Sequence, residues 1–402
     1  MKILFVSSAG SPILGSTHAL TWKWLGLIAA SHDVTLLTDP EFKDDFNAAE
    51  NGHGVHIEFV PFRQPRKVHW FFRAYAYQYK ALRTARRLHA ERCFDLVHTF
   101  TPDSWRIPSF MWRLGIPSVW GPVGGGENFP LNLLRILDLN GSLAEIVRAI
   151  SQRLSIIDPI LRSCAQHHSL VLTENMSTRK KVVQLGAPQV LVESAQVMLL
   201  PRTPMATRKR TSILQMVYAG ALIPRKGIPL GIRAVKMAKS RGMSNLRWDI
   251  YGSGPMMEKC RALISQLQLE DVILLRGKVS HAEMGKVYPN YDVYFFPSLR
   301  DACGTSLIEA LSMGLPVICL DNSGPAEIVN HNSGIACSSE GTPVAVVERL
   351  AEAIREIATN GRVKTLGDGT IPRLQEMGFA PMDKAKSILE KYERVARGYD
   401  CQ

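Results

Sequence analysis

The sequence is poor in the patterns that announce a metal site, a membrane span or a triphosphate-binding loop. Its seven cysteines, in 402 residues, form no C-x-x-C pair or other metal-ligand spacing, and they read as reduced cytosolic thiols filling a core. No apolar run is long enough to span a bilayer, and residues 3–6 are far too few for a signal peptide. A soluble or peripheral cytoplasmic protein is expected. Residues 10–17 have the spacing of a P-loop, but Ser16 stands where the lysine for the β- and γ-phosphates belongs. No G-x-G-x-x-G follows the first apolar run, which argues against a nicotinamide dinucleotide. No D-x-D pair is present to hold a metal, and neither metal nor cofactor is expected. Low-complexity tracts and short-period repeats are also missing.

Acidic residues are the other shortage. The 36 Asp and Glu are outnumbered by 48 Lys and Arg, for a net charge of +12. Residues 1–210 hold 25 basic against 16 acidic side chains, and residues 63–92 hold nine basic ones and a single acid, Glu91. That asymmetry points to an anionic partner for the first half. Within residues 70–89, Trp70, Phe71, Phe72, Tyr75, Tyr77 and Tyr79 are interleaved with Arg73, Lys80, Arg83, Arg86 and Arg87. Arg73, Lys80 and Arg87 recur every seven residues and so share a helix face. The pattern suits an anionic bilayer surface, and equally a core-facing aromatic stripe with a solvated basic back. No recognition motif accompanies the charge, so nucleic acid is not expected as a partner.

What is present is a globular composition, 46% apolar and 21% charged, in a chain long enough for two domains. Short apolar runs of buried-strand type occur at residues 3–6, 34–37, 57–60, 96–98, 118–120 and 170–172. A second series occupies residues 216–219, 246–251, 272–275, 293–296 and 317–320. Helical patterns separate most of them, which predicts α/β domains with parallel sheets and ligands at the strands' carboxyl ends. Residues 201–210, with two prolines and a basic cluster, read as a linker. The expected domains are therefore 1–205 and 211–380, with a last helix over 381–402 packing back on the first.

The most informative stretch is residues 300–311, RDACGTSLIEAL. Asp301 and Glu309 lie eight positions apart with a small-residue helix start between them, near Gly304, Thr305 and Ser306. Helix-start N–H groups favour a diphosphate. Glu309 can accept two hydrogen bonds from a ribose diol, and Asp301 can reach a sugar or cap the helix. Arg225-Lys226-Gly227 follows a strand and opens a helix, either as a solvated surface turn or as two cations that hold and stabilise a leaving diphosphate. Gly252 and Gly254 end another strand, where backbone approaches a ligand or turns sharply, and Glu327 is a further polar candidate. On the first half, Gly15, His18 and His98 are candidates for a cleft-facing surface, with a satisfied structural histidine as the alternative at both His positions.

These stretches resemble family 4 of the retaining glycosyltransferases. The resemblance is carried by residues 218–227 (YAGALIPRKG), 251–255 (YGSGP), 291–309 and 324–329 (GPAEIV), in the family's order and spacing. It implies the GT-B fold of two Rossmann-like domains and sugar transfer from a nucleoside-diphosphate donor, UDP- or GDP-linked, with retention at the anomeric carbon. It places Arg225, Lys226, Asp301 and Glu309 at the reaction, and Gly220, Gly252, Gly254, Gly304, Thr305, Ser306 and Glu327 around the donor. Gly15, His18, His98, Gly124 and Gly125 fall on the acceptor side, the last two in the run Trp120-Gly-Pro-Val-Gly-Gly-Gly-Glu127. The family's usual first motif Glu is Asp301 here, and its common Gly-Arg pair is Gly220-Ala221. Many members carry a His after the strand ending near Trp120, and this chain does not. An acceptor glycan, lipid-linked and destined for a surface polysaccharide, is the expected partner. A sugar-nucleotide epimerase of the same fold and a non-catalytic nucleotide- or membrane-binding subunit remain alternatives.

Overall fold

The computed structural model describes residues 1–14, 17–48, 53–62, 70–201, 212–359 and 361–399. They form two compact units, one of Met1–Gly126, Ile150–Val197 and Pro381–Gln402, the other of Glu127–Ala149 and Met198–Ala380. The expected linker at 201–210 lies outside the described residues apart from Pro201. Residues 127–149 count with the second unit.

The first unit holds seven parallel strands: β1 (Lys2–Val6), β2 (Asp33–Thr38), β3 (His56–Phe59), β4 (Leu96–Thr99), β5 (Ser118–Val123), β6 (Leu170–Thr173) and β7 (Val190–Val192). Their order is β3-β2-β1-β4-β5-β6-β7, so chain direction across the sheet reverses between β1 and β4. Ile3 is registered against both Val34 and Leu96. Residues 3–6 are fully buried because helices cover both faces, which is why β1 is a continuous apolar run with no alternation.

The second unit holds six parallel strands: β8 (Leu214–Ala219), β9 (Leu246–Tyr251), β10 (Ile273–Gly277), β11 (Val293–Phe296), β12 (Val317–Leu320) and β13 (Gly334–Cys337). Their order is β10-β9-β8-β11-β12-β13, with the reversal between β8 and β11. Two doubly wound sheets of this kind are the GT-B pattern the sequence implied. β7 and β13 are three- and four-residue edge strands that the expected series lacks, although residues 190–192, Val-Leu-Val, are a short apolar run of the same kind.

The last helix, Pro381–Tyr399, packs in the first unit through Ile388, Tyr392 and Val395. Lys384, 1% exposed, pairs there with Glu193, which also takes Lys391 Nζ at 2.8 Å and Ser387 Oγ at 2.7 Å. Burial pushes the Glu193 carboxyl up, but the two ammonium groups more than offset it and hold its pKa below the ordinary value. Either charge alone at this depth would be costly. Among the described residues no helix is long and apolar enough to cross a membrane.

Candidate active site

In the second unit the loops after β8, β9 and β11 meet at the carboxyl edge of the sheet, beside the reversal point where open α/β sheets bind ligands. They are knitted backbone to backbone. Gly220 N donates to Tyr251 O at 3.0 Å, and Leu222 N to Ser253 O at 2.9 Å. Gly252 has φ +146°, and a Cβ there would lie 1.8 Å from Gly220 O. One at Gly254 would lie 2.4 Å from Leu222 O. The missing side chains at 252 and 254 therefore serve loop-to-loop packing, which holds Gly220 in place.

The turn Pro224–Lys226 follows, and its arginine ties the β8 loop to the β11 loop. Arg225 O accepts from Leu299 N at 2.9 Å, and Arg225 Nη1 donates to Arg300 O at 3.1 Å. The Lys226 ammonium pairs with the Asp301 carboxylate and sits 5.0 Å above the centre of the Phe296 ring. Arg225 Nη1 is 3.8 Å from the same carboxylate. Lys226 and Asp301 are each 12% exposed. Burial lowers the Lys226 pKa, and the Asp301 charge only partly restores it. Arg300 joins the cluster through its own ion pair, 2.9 Å from Glu145. Asp301 is thus the ion partner of Lys226, and no side chain caps the helix Thr305–Ser312 whose N-cap is Gly304.

That helix start is fixed from beneath. Gly304 adopts φ +77°, a left-handed conformation in which a side chain would be strained. The Tyr294 hydroxyl lies 2.7 Å from Ser306 Oγ and 2.9 Å from Ala219 O, linking the helix start to the end of β8. Thr305 is exposed. One turn on, Glu309 is 14% exposed, with Oε1 3.1 Å from His281 Nε2 and Oε2 accepting from the Tyr288 hydroxyl at 3.3 Å. Glu327 lies on the short helix Ser323–Ile328, and its carbonyl accepts from Arg373 at 2.7 Å. The arrangement gathers three cations against two carboxylates, Asp301 and Glu145, a surplus of one positive charge for an anion, and it offers a diol one carboxylate.

In the first unit a cavity of about 540 Å³ opens at the carboxyl ends of β1 and β4. Ser8, Thr17, His18, Thr101, Asp103 and Ser104 line it. Thr101 Oγ1 lies 2.8 Å from Ser7 Oγ and 3.2 Å from Ser8 Oγ. His18 Nδ1 accepts from Ser11 N at 3.2 Å, and burial lowers its pKa. Burial raises the Asp103 pKa, with a Thr17 hydrogen bond in opposition. Gly124 ties its glycine run to the Asp103 loop, Gly124 N donating to Asp103 O at 2.7 Å, and Gly125 O accepts from Gln152 at 2.8 Å. Gly15 lies outside the described residues. His98 takes the structural alternative. It is fully buried, Nδ1 facing the Tyr392 hydroxyl and Nε2 facing Gly121 O, and burial pushes its pKa down to about 4. With both ring nitrogens occupied, it belongs to the core and not to a ligand surface.

Ser8, Thr101 and Asp103, which line this cavity, belong to no motif in the sequence. The available signal was position: they directly follow the two strands at the reversal point. Close behind them Glu174 accepts from Ala195 N at 3.0 Å and Ser194 Oγ at 2.9 Å. Burial nevertheless pushes its pKa from an ordinary 4.5 to about 7. Below pH 4.5 both folded and unfolded states hold the proton. Between 4.5 and 7 only the native state does, so stability drains away across that window, by roughly 3–3.5 kcal/mol. Glu174→Gln is expected to raise the melting temperature at pH 8 and to change it little at pH 4. Equal shifts at both pH values would show that the carboxyl does not titrate in this window.

Paired Rossmann-like sheets, the second carrying a cationic, glycine-knit site at its strand ends, define a glycosyltransferase fold of the GT-B class. Residues 205–365 match the family of glycosyl transferases group 1, and residues 15–194 match the glycosyl transferase 4-like domain. The chain belongs to the group 1, family 4-like glycosyltransferases. WcaL of Salmonella typhimurium, assigned to colanic acid biosynthesis as a glycosyltransferase, is 28% identical over 250 residues, 57% of this chain and 61% of its own length. The GtfA subunit of the UDP-N-acetylglucosamine–peptide N-acetylglucosaminyltransferase of Streptococcus pneumoniae is 30% identical over 184 residues, 45% of this chain and 35% of its own. The chain thus spans less than two thirds of these relatives. The sucrose-phosphate synthase of Thermosynechococcus elongatus shares the fold, with a TM-score of 0.69 at 17% identity over 99% of both chains.

Proposed function

We propose that this protein transfers a sugar from a nucleoside-diphosphate donor to an acceptor hydroxyl, with retention of configuration and without a metal. The observation that carries the reading is the pairing of Arg225 and Lys226 with Asp301, with the Arg300 charge near Lys226, beside an uncapped helix start. The diphosphate lies against that cluster and the Gly304–Ser306 backbone, and the ribose diol against Glu309. The bond from the anomeric carbon to the diphosphate oxygen breaks as the acceptor oxygen bonds to the same carbon from the same face. The departing diphosphate oxygen takes the acceptor proton. Lys226 and Arg225 stabilise the charge growing on that oxygen, which is the work a metal ion does elsewhere.

The acceptor occupies the hydroxyl-lined cavity of the first unit, with Ser8, His18, Thr101 and Asp103 as its contacts. A glycan intermediate of polysaccharide synthesis fits the relatives' names, and a UDP-sugar is the donor favoured by the GtfA likeness. The enzyme works in the cytoplasm at the inner face of an anionic membrane. In support, helix Trp70–Arg92 exposes Phe72, Tyr79, Lys80, Arg83 and Arg86, while Tyr77, Leu82 and Leu88 face the core.

Thermal unfolding with UDP, GDP and ADP, each with and without EDTA, tests the donor site. One nucleotide at 100 times its Kd is expected to stabilise by about 2.7 kcal/mol, unchanged by the chelator. No shift with any nucleotide would overturn the reading in favour of a non-catalytic subunit. A shift that EDTA abolishes would restore a metal to the site.

A further inference from the structure

Helix Leu139–Ile156 is amphipathic the wrong way round. Its 18 residues span about 27 Å, and Leu139, Leu143, Val147, Ile150 and Leu154, with Ile157 just past its end, recur at intervals of three and four. They form one stripe, and each is between 53% and 89% exposed. The polar residues turn inward instead. Glu145 pairs with Arg300, Arg148 Nη1 donates to Glu127 O at 2.7 Å, and Gln152 Nε2 donates to Gly125 O at 2.8 Å. A helix facing water normally shows the opposite order. Contiguous exposed apolar residues on this scale mark a surface that is covered in use.

We infer that this stripe is seated in an anionic bilayer, lying in the interface plane as a monotopic element. Charge selects that occupant. Across residues 131–162 the exposed charges are Arg135, Arg153 and Arg162. The acids are engaged, Asp138 by Lys259, Glu145 by Arg300, and Asp158 as a cap on Ile160 and Leu161. Apolar residues rimmed by free arginines match an anionic headgroup layer over acyl chains. A second copy of the chain fits poorly, because a two-fold interface sets the same cationic rim against itself. Choosing a bilayer rests on the membrane-surface reading above, but the inverted helix is an observation independent of helix Trp70–Arg92.

Co-sedimentation of the full-length protein with phosphatidylglycerol–phosphatidylcholine vesicles tests this. Leu143→Ser/Ile150→Ser/Leu154→Ser is expected to lower the partition coefficient by ~100-fold, whereas the triple Met variant at the same positions stays within a few-fold of wild type. The nucleotide-induced melting shift should be the same in all three proteins, which confirms that each is folded. Wild-type partitioning in the Ser variant would overturn the assignment to this helix and leave the contact with helix Trp70–Arg92. Failure of the wild type to bind anionic vesicles, with the nucleotide shift retained, would remove the membrane and leave sugar transfer standing. A wild-type dimer that the Ser variant converts to monomer would make the stripe a self-association surface instead.

Discussion

Replacing Lys226 by alanine is expected to lower kcat/KM for the nucleotide sugar by at least ~100-fold, the scale of losing one preorganised charge-stabilising donor. The side chain is 12% exposed, held between Asp301 and the face of Phe296, so its ammonium is fixed before the donor arrives. Little reorganisation is then needed as the diphosphate leaves, and burial strengthens each interaction the ammonium makes. Burial also disfavours the charged form, which lowers its pKa and leaves the ammonium short of compensation from Asp301 alone. On the proposed function, an incoming diphosphate supplies what is missing.

The same ion pair raises an objection: Lys226→Ala strands a mostly buried carboxylate, and breaking such a pair destabilises by about 3–5 kcal/mol. A double variant separates the two effects. Lys226→Met/Asp301→Asn removes both charges with little change in volume and is expected to recover much of the lost melting temperature. If turnover stays low in the double variant while stability returns, the pair acts in the reaction and not only in folding. If turnover returns with stability, the pair is structural, and Arg225 and Arg300 carry the charge.

What the sequence showed and what it hid follow from one distinction. Short apolar runs report burial on both faces, so β1, β4, β8 and β11 were legible, and with them the reversal points where ligands bind. The cations at 225–226 and the small residues at 304–306 were legible because backbone geometry at a strand end admits few residue types. Partner identity was not. Nothing in the spacing says that Asp301 answers Lys226, 75 positions away, or that Gly252 is empty because Gly220 O fills its place. Polarity left His98 open between a ligand contact and a structural histidine, and the late helix decides it by bringing Tyr392 to the ring across 294 residues. Helix Leu139–Ile156 has ordinary helical periodicity, and only the fold shows that its apolar face is outside.

Glu309→Ala is expected to cost at least ~100-fold in activity as well, mainly through donor binding. A carboxylate accepting two hydrogen bonds from a ribose diol forms charge-assisted bonds, each worth about 1.5–3 kcal/mol. That interaction is remote from the breaking bond, so it weakens nucleotide affinity along with the transition state. The nucleotide-induced melting shift should therefore shrink in proportion to the loss in kcat/KM. The rival role is structural, because Glu309 also receives the buried Tyr288 hydroxyl and lies 3.1 Å from His281. Orphaning that hydroxyl costs about 1–3 kcal/mol of stability with no effect on ligand affinity. His281→Ala and Tyr288→Phe decide between the two. His281 is 81% exposed, so its removal should scarcely move the melting temperature. Tyr288→Phe deletes the donor and leaves the carboxylate in place. If Glu309 serves the ribose, both variants keep nucleotide binding within a few-fold of wild type while Glu309→Ala loses it. A Tyr288→Phe protein that loses the nucleotide shift as fully as Glu309→Ala would instead mean that the carboxylate's work is to hold Tyr288, and the diol would need another acceptor.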